Sequence, residues 1–143
     1  MPKHSGAGRA FAAILLSALP VIGARAQDAG GIAGKWRDSD GESIIAIGPC
    51  GPALCGKIVW LKQPRIDRNN SDSKLRERSL MGVQVLSGFK ADGSGKLGGQ
   101  GYNPEDGKTY ATTLALDASG RLMVRGCVLG GLICDDDLWT REP

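Results

Sequence analysis

Four cysteines, arranged as two pairs that flank turns, are the residues whose spacing most directly predicts chemistry. Cys50 and Cys55 bracket a Gly-Pro dipeptide, and Cys127 and Cys134 stand symmetrically about a Gly-Gly dipeptide. Three connectivities are open, and pairing across the chain would stabilise more (roughly 4.5 against roughly 2 kcal/mol), but the matching distance of each pair from its turn favours local pairing. Because neither pair has C-x-x-C spacing, we expect structural disulfides.

Two acidic clusters resemble cation or catalytic sites, and each has a simpler explanation. Asp135-Asp136-Asp137 would attract a cation, but adjacent residues on a strand point to opposite faces, so three carboxylates do not converge without a bulge. A solvated strand edge that resists aggregation fits them better. Glu105-Asp106 stands between Pro104 and Gly107 and is expected to form a turn.

A third segment begins like a calcium loop. Asp67, Asn69 and Ser71 match the first three ligand positions, but Asp72 stands where the loop requires Gly, and Arg78 stands where a bidentate Glu is required. The glycine-rich segments lack the strand, helix and Lys of a phosphate loop. We therefore expect no metal and no cofactor.

The N-terminal segment has the features of a secretory signal. Lys3 and Arg9 precede an apolar run over residues 10–22, which ends before Ala24-Arg25-Ala26. The run is about 13 residues long and a bilayer span takes roughly 20, so a transmembrane anchor is the lesser alternative. We expect a signal peptide over residues 1–26 with cleavage near Ala26, a flexible leader over residues 27–31, and a periplasmic or secreted domain over residues 32–143.

Removing the signal changes both the charge and the catalytic repertoire. The full chain has 18 basic and 15 acidic residues, and loss of Lys3, Arg9 and Arg25 leaves 15 of each. A neutral domain gives no electrostatic reason to bind nucleic acid. The only histidine, His4, is also lost, which excludes Ser-His and Cys-His nucleophiles and His-ligated metals. We expect no enzyme and no catalytic residues.

Turn signals at intervals of about 8 to 12 residues predict an all-β domain. Eight strands are expected, and eight suit closure into a single small antiparallel barrel. The predicted strands cover residues 32–37, 42–47, 57–61, 82–90, 96–102, 108–116 and two arms of a final hairpin between 121 and 141.

One long polar loop interrupts this rhythm after the third strand, over residues 62–81. Its central part, residues 71–78, has the composition of one or two helical turns capped by Asn70 or Ser71. A loop of this length in a small domain usually has a purpose. Either it presents Asp67, Asn70, Arg76 and Arg78 at a binding edge, or these side chains bond to one another and hold the loop over an open barrel end.

The aromatic residues predict how the barrel closes. If the first and last strands are neighbours, the Arg141 guanidinium lies on the Trp36 indole, a contact worth about 0.5 to 2 kcal/mol. Trp60 and Trp139 are expected in the core, although either is also a candidate to line a pocket.

The whole of this domain resembles the bacterial family called domain of unknown function 2147. The motifs that carry the resemblance are Gly34-x-Trp36, Cys50-Gly, Leu54-Cys55-Gly56-x-Ile58-Val59-Trp60-Leu61, Asp67-x-x-Asn70, Leu75-Arg76-x-Arg78, Tyr102-Asn-Pro-x-Asp106-Gly-Lys-Thr-Tyr110, Val124-Arg-Gly-Cys127 and Trp139-Thr-Arg141. The resemblance implies an exported, lipocalin-like β-barrel without an established activity. A shorter similarity links Gly34-x-Trp36 and Arg141 to the Gly-x-Trp motif and closing Arg of lipocalins.

These observations favour a binding module for a small or lipidic ligand, with Asp67, Asn70, Arg76, Arg78 and Trp60 as candidate contacts. The alternative is a protein-interaction or envelope-associated module, such as an inhibitor of a cell-wall enzyme. A hydrolase that uses carboxylates alone comes third, since it needs two carboxyl groups about 5 to 9.5 Å apart in a cleft.

Overall fold

The computed structural model describes residues 30–143, together with Ala18. The predicted signal peptide, apart from Ala18, and residues 27–29 of the predicted leader lie outside the described residues. Between residues 30 and 143, eight antiparallel strands close into one barrel and follow one another around it in chain order. The fold predicted from the turn spacing is therefore confirmed. Among the described residues, no helix is long and apolar enough to cross a membrane.

The strands are longer at several ends than the sequence predicted. They are β1 (Gly34–Arg37), β2 (Ser43–Cys50), β3 (Ala53–Leu61), β4 (Gln84–Ala91), β5 (Leu97–Asn103), β6 (Lys108–Leu116), β7 (Leu122–Val128) and β8 (Ile133–Glu142). The prediction ended β2 at residue 47 and began β3 at residue 57. In the structure the ladder continues to the Cys50–Ala53 pair, because a tight turn and a disulfide hold the two arms together.

The barrel closes where β1 pairs with β8, and Trp36 lies directly opposite Arg141. The guanidinium carbon of Arg141 is 4.2 Å from the centre of the Trp36 ring, as the sequence predicted. Arg141 also donates hydrogen bonds to the carbonyls of Gly31 and Ala33. Gly34 is required here, since a Cβ atom on it would lie 2.6 Å from Nη1 of Arg141 and its φ is +138°.

An antiparallel barrel places alternate turns at opposite ends. One end, here called the base, has the β2–β3, β4–β5 and β6–β7 turns and both chain ends of the barrel. The other end, here called the mouth, has the β1–β2, β5–β6 and β7–β8 turns and the long loop over residues 62–83. Because β1 pairs with β8 only over residues 140–142, the mouth half of β8 has a ladder partner on the β7 side alone.

Side chains fill the base half of the barrel. Trp36 is 0% exposed, and buried aliphatic and aromatic residues surround it in one continuous core. Those contributed by the base ends of the strands are Ile47, Leu54, Phe89, Leu97, Leu114 and Leu122. They alternate with exposed or half-buried neighbours, as expected when one face of each strand points into the barrel.

Each of the two cysteine pairs staples one hairpin. Cys50 is bonded to Cys55 at the base, with 5.8 Å between Cα atoms, and Cys127 is bonded to Cys134 at the mouth, with 4.1 Å. This is the local pairing predicted from the turns. Each closes a short loop, which on the chain-entropy model stabilises the fold by about 2 kcal/mol.

The long loop contains one short 3₁₀ turn, Ser73–Leu75. Its cap is Asp72, whose Oδ1 accepts a hydrogen bond from the Lys74 amide at 3.0 Å. The predicted cap at Asn70 or Ser71 is wrong. Asn70 is already engaged, because its Oδ1 accepts from the Asp72 amide and its Nδ2 donates to Asp67.

Candidate functional site

The predicted loop residues come together around the Asp67 carboxylate, which is 0% exposed. Its Oδ2 accepts hydrogen bonds from Nδ2 of Asn70 at 2.8 Å and from Nε of Arg78 at 2.9 Å. Its Oδ1 accepts from the Tyr102 hydroxyl at 2.5 Å. Arg76 joins through Nε, which donates to the Asn70 carbonyl at 2.8 Å. A buried carboxylate with these donors is well satisfied.

These contacts shift the pKa values of both partners. Burial alone would raise the pKa of Asp67, but hydrogen bonds from Tyr102, Asn70 and Arg78, with the Arg78 charge, outweigh it, and the pKa lies below 3.8. Burial and the bond to Asp67 raise the pKa of Tyr102 from 10.0 to about 12. Sequence reasoning missed Tyr102, because it lies on β5, far along the chain from the loop.

The raised pKa of Tyr102 predicts a loss of stability at high pH. A group whose pKa is higher in the folded state contributes stability below its unfolded value, and loses it as pH rises through the folded value. The free energy of unfolding of the wild type should therefore fall by about 2 kcal/mol between pH 10 and about 12. Tyr102→Phe, which lacks the titrating hydroxyl, should not show this fall. Denaturant titrations across this range check it, and parallel pH curves for the two proteins would contradict it.

The loop is also fastened to the β5–β6 turn at the mouth. Arg65 forms an ion pair with Glu105, and Nδ2 of Asn69 donates to the carbonyl of Glu105 at 2.8 Å. A Cβ atom on Gly107 would overlap the Asn69 carbonyl oxygen, so the turn approaches the loop as closely as glycine permits. The polar side chains therefore hold the loop across one side of the mouth. Ligand contact by Asp67 and its neighbours stays a prediction.

Trp60 lies on the outer surface and not in the core. It is 36% exposed, and the guanidinium carbon of Arg37 lies 4.8 Å from its ring centre. The expectation of a core position is wrong because β3 has an irregularity at this point. Ile45 pairs with Ile58 but Ile44 pairs with Trp60, so Val59 is an extra residue that turns Trp60 to the opposite face.

The mouth half of the barrel is open, because the inward side chains in the layer next to the packed base are small. Leu114 on β6 is followed toward the mouth by Thr112, and Leu122 on β7 is followed by Val124 and then Gly126. The resulting cleft has a volume of about 370 Å³. Its lining includes Val85, Leu86, Val124, Tyr102, Tyr110 and Trp139. This space lies directly above the packed base.

A second cleft of about 250 Å³ adjoins the first and shares Val85, Tyr102, Asn103, Asp137 and Trp139 with it. It extends beneath Leu80 of the long loop and toward the β1–β2 turn. This is the side on which the mouth half of β8 has no ladder partner. The two clefts form one cup, here called the mouth cup, with an apolar floor.

Carboxylates dominate the wall of the mouth cup. Strand alternation divides the acidic triplet of β8 as expected, since Asp136 pairs with Arg125 while Asp135 and Asp137 share the other face. Sequence reasoning treated all three as an edge and missed the shared face of Asp135 and Asp137, which alternation itself indicates. Trp139 donates its Nε1 hydrogen to Asp137 at 2.6 Å, so the buried indole and the carboxylate form one unit of the wall.

A closed eight-stranded meander with a packed base and a cup at the mouth defines a lipocalin-like β-barrel. A family model described as "Uncharacterized protein conserved in bacteria (DUF2147)" matches residues 34–141, and the chain belongs to this family. One solved structure is similar, titled "Protein HP1028 from the human pathogen Helicobacter pylori belongs to the lipocalin family". It has a TM-score of 0.68 and 23% identity, over 78% of this chain and 82% of that one, which shows a shared fold. No curated protein matches the chain.

Proposed function

We propose that this protein is an exported binding module, periplasmic or secreted, which takes a small or lipidic ligand into the mouth cup. The observation that carries the proposal is the division of the barrel into a filled base and an open mouth half. A cleft of about 370 Å³ is within the range of small-molecule sites, roughly 300 to 1,000 Å³. An apolar floor with polar groups around it is the usual composition of such sites.

Three further features support export and binding. Two hairpin disulfides are typical of proteins in oxidising compartments, which supports export and agrees with the signal peptide expected over residues 1–26. The interior of an eight-stranded barrel is either filled by side chains or holds one small ligand, as in lipocalins, and the open mouth half of this barrel supports the second arrangement. The absence of histidine from residues 30–143 favours binding over nucleophilic catalysis.

Filling the mouth cup should weaken binding without unfolding the barrel. Gly126 faces the cleft, and a Cβ atom there would make ordinary contact, 3.6 Å, with Cβ of Tyr110. We therefore expect Gly126→Leu to project its side chain into the cleft and to weaken binding of the neutral apolar probe N-phenyl-1-naphthylamine at least about tenfold, the loss expected when two or three methylene contacts are displaced. Probe fluorescence in a titration measures this.

Gly48→Leu is the matched control. Gly48 lies on the outer face of β2, where a Cβ atom would meet no other atom within 4 Å. The control should bind the probe as the wild type does. A probe that binds both variants equally, or that binds none of the three proteins, would refute a ligand site in the mouth cup.

A protein-interaction module is the second candidate, and the β7–β8 hairpin tip favours it. Leu129 is 68% exposed and Leu132 is 85% exposed at the rim of the mouth. Exposed apolar clusters of this kind are typical of docking surfaces. An envelope-protein partner held by the tip would be lost with Leu132→Ser and kept with Gly126→Leu, so this pair of variants separates the two functions.

A further inference from the structure

The charge of the mouth cup is strongly one-sided, although residues 32–143 carry 15 basic and 14 acidic residues. The larger cleft is bordered by Asp106, Asp135, Asp136 and Asp137 and by no Lys or Arg of residues 30–143. The smaller cleft adds four more carboxylates and one basic residue, Arg65, which is already paired with a glutamate. A cleft lined by charges of one sign with low-dielectric walls concentrates ions of the opposite sign.

Two of these carboxylates have no cation to balance them. Asp136 is neutralised by Arg125, at 2.6 and 2.8 Å. Within residues 30–143, the side chain of Asp135 has no hydrogen-bond or ion-pair partner, and the side chain of Asp137 accepts only the neutral indole N–H of Trp139. Asp137 is also half-buried, so part of its hydration is lost without a compensating charge.

The second, independent observation is the aromatic wall of the larger cleft. Tyr102, Tyr110 and Trp139 all border the larger cleft, and Val85, Leu86 and Val124 form its apolar floor. Trp139 bonds to Asp137 and Tyr110 bonds to Asp106, so each of these rings carries a carboxylate at its edge. The hydrogen bond to Asp106 raises the pKa of Tyr110, and burial and the charges of Asp106 and Asp135 add to the shift.

We propose that the ligand of the mouth cup is a small organic cation, a primary ammonium group attached to an aromatic or alkyl body. The body would lie on the apolar floor, and the ammonium would lie between Asp135, Asp137 and the aromatic faces, which attract cations. The apolar floor and the aromatic rings favour an organic cation over an inorganic one, because an inorganic ion would use the carboxylates alone. This inference rests on the proposed binding function and assigns its ligand class.

Three probes of the same shape but different charge test the proposal by calorimetric titration. They are 2-phenylethylamine, 2-phenylethanol and 3-phenylpropionate, which are respectively cationic, neutral and anionic. We expect 2-phenylethylamine to bind at least about tenfold more tightly than 2-phenylethanol, because the uncompensated Asp side chains attract the ammonium group. The same side chains repel an anion, so 3-phenylpropionate should bind more weakly than both. Added salt screens these charges, so it should reduce the differences in affinity among the three probes.

Two variants locate the effect. Asp135→Asn removes an exposed carboxylate that makes no side-chain hydrogen bond or ion pair, so this variant should keep the fold. The double variant Asp135→Asn with Asp137→Asn removes both charges of the shared face. We expect about tenfold weaker amine binding in the double variant, an intermediate loss in the single one, and unchanged alcohol binding. Asp92→Asn makes the same charge change in the β4–β5 turn at the base and should leave amine binding unchanged.

Equal affinity for the amine and the carboxylate, or equal loss with Asp92→Asn, would overturn the assignment. These outcomes are distinguishable from failure of the binding function itself. If N-phenyl-1-naphthylamine binds the wild type and is excluded by Gly126→Leu while the three phenyl probes show no preference for charge, the mouth cup is a ligand site and the cation assignment alone is wrong. If no probe binds, both fail.

Discussion

Replacing Trp36 by alanine is expected to lower the free energy of unfolding by about 4 kcal/mol, since removal of a fully buried Trp or Phe costs roughly 3 to 5 kcal/mol. The indole does more than fill the core. Its Nε1 donates to the Ile32 carbonyl at 2.8 Å, and Arg141 lies on its face. Loss of the ring would therefore loosen the seam between β1 and β8, the shortest ladder of the barrel. Chemical denaturation of the two proteins measures the difference.

Trp60→Ala is the matched control for this substitution. Trp60 also has an arginine over its ring, with the Arg37 guanidinium carbon 4.8 Å from the centre, but it lies on the outer face and is partly solvated. A cation–π contact at an exposed site is worth about 0.5 to 1 kcal/mol, so the expected loss is about 1 kcal/mol. Similar losses for the two variants would show that the seam does not depend on Trp36.

The closure of the barrel was predictable because it depends on residue types at the two ends of the chain. One arrangement suits the three closing residues: the guanidinium of Arg141 lies on the ring of Trp36, and a glycine at position 34 leaves room for the guanidinium. Turn chemistry also set the strand number, since glycine-rich and Asp-Gly turns separate most pairs of strands. The closing residues and the turns can both be read from short stretches of sequence. Antiparallel pairing of neighbouring strands then determines the rest of the sheet.

Trp60 shows why the faces of some residues could not be predicted. Ile58 and Trp60 are two positions apart and alternation places them on one face, but the extra residue Val59 reverses it. Nothing in the composition of residues 57–61 marks such a bulge. Tyr102 was missed for a different reason, since its contact with Asp67 spans 35 positions and exists only after the loop folds onto β5.

The mouth cup itself could be recognised only in the closed barrel. Its volume depends on Thr112 and Gly126 lying opposite one another on the inner face, while Leu114 and Val124 fill the next layer toward the base. In the sequence, these small residues resemble the many other turn and bulge positions of a glycine-rich chain. Their meaning appears once the ladder register places them in one layer of the interior.

Asp67→Asn is expected to lower the free energy of unfolding by about 3 kcal/mol at neutral pH, close to the cost of breaking a buried ion pair. The amide keeps the shape of the carboxylate, but its Nδ2 is a donor, and it would face either the donors of Arg78 and Asn70 or the hydroxyl of Tyr102. Asparagine therefore satisfies one side of the network and leaves the other unmatched. The loss should concentrate in residues 62–83, where amide hydrogen exchange should become faster than in the strands.

The same substitution should change the response to acid. Because the pKa of Asp67 is lowered in the folded protein, its contribution is fully present above the ordinary value of 3.8 and is lost as pH falls through the folded pKa. The two proteins should thus differ most above pH 4 and converge in stronger acid.

Asp117→Asn is the control, since Asp117 also bonds to an arginine and to turn donors but lies in the β6–β7 turn at the base. Asp117→Asn should lower the free energy of unfolding clearly less than Asp67→Asn does, and it should leave amide hydrogen exchange in residues 62–83 unchanged. A uniform loss of protection across all strands in Asp67→Asn, or a difference from the wild type that persists in strong acid, would mean that the carboxylate does not hold the loop over the mouth.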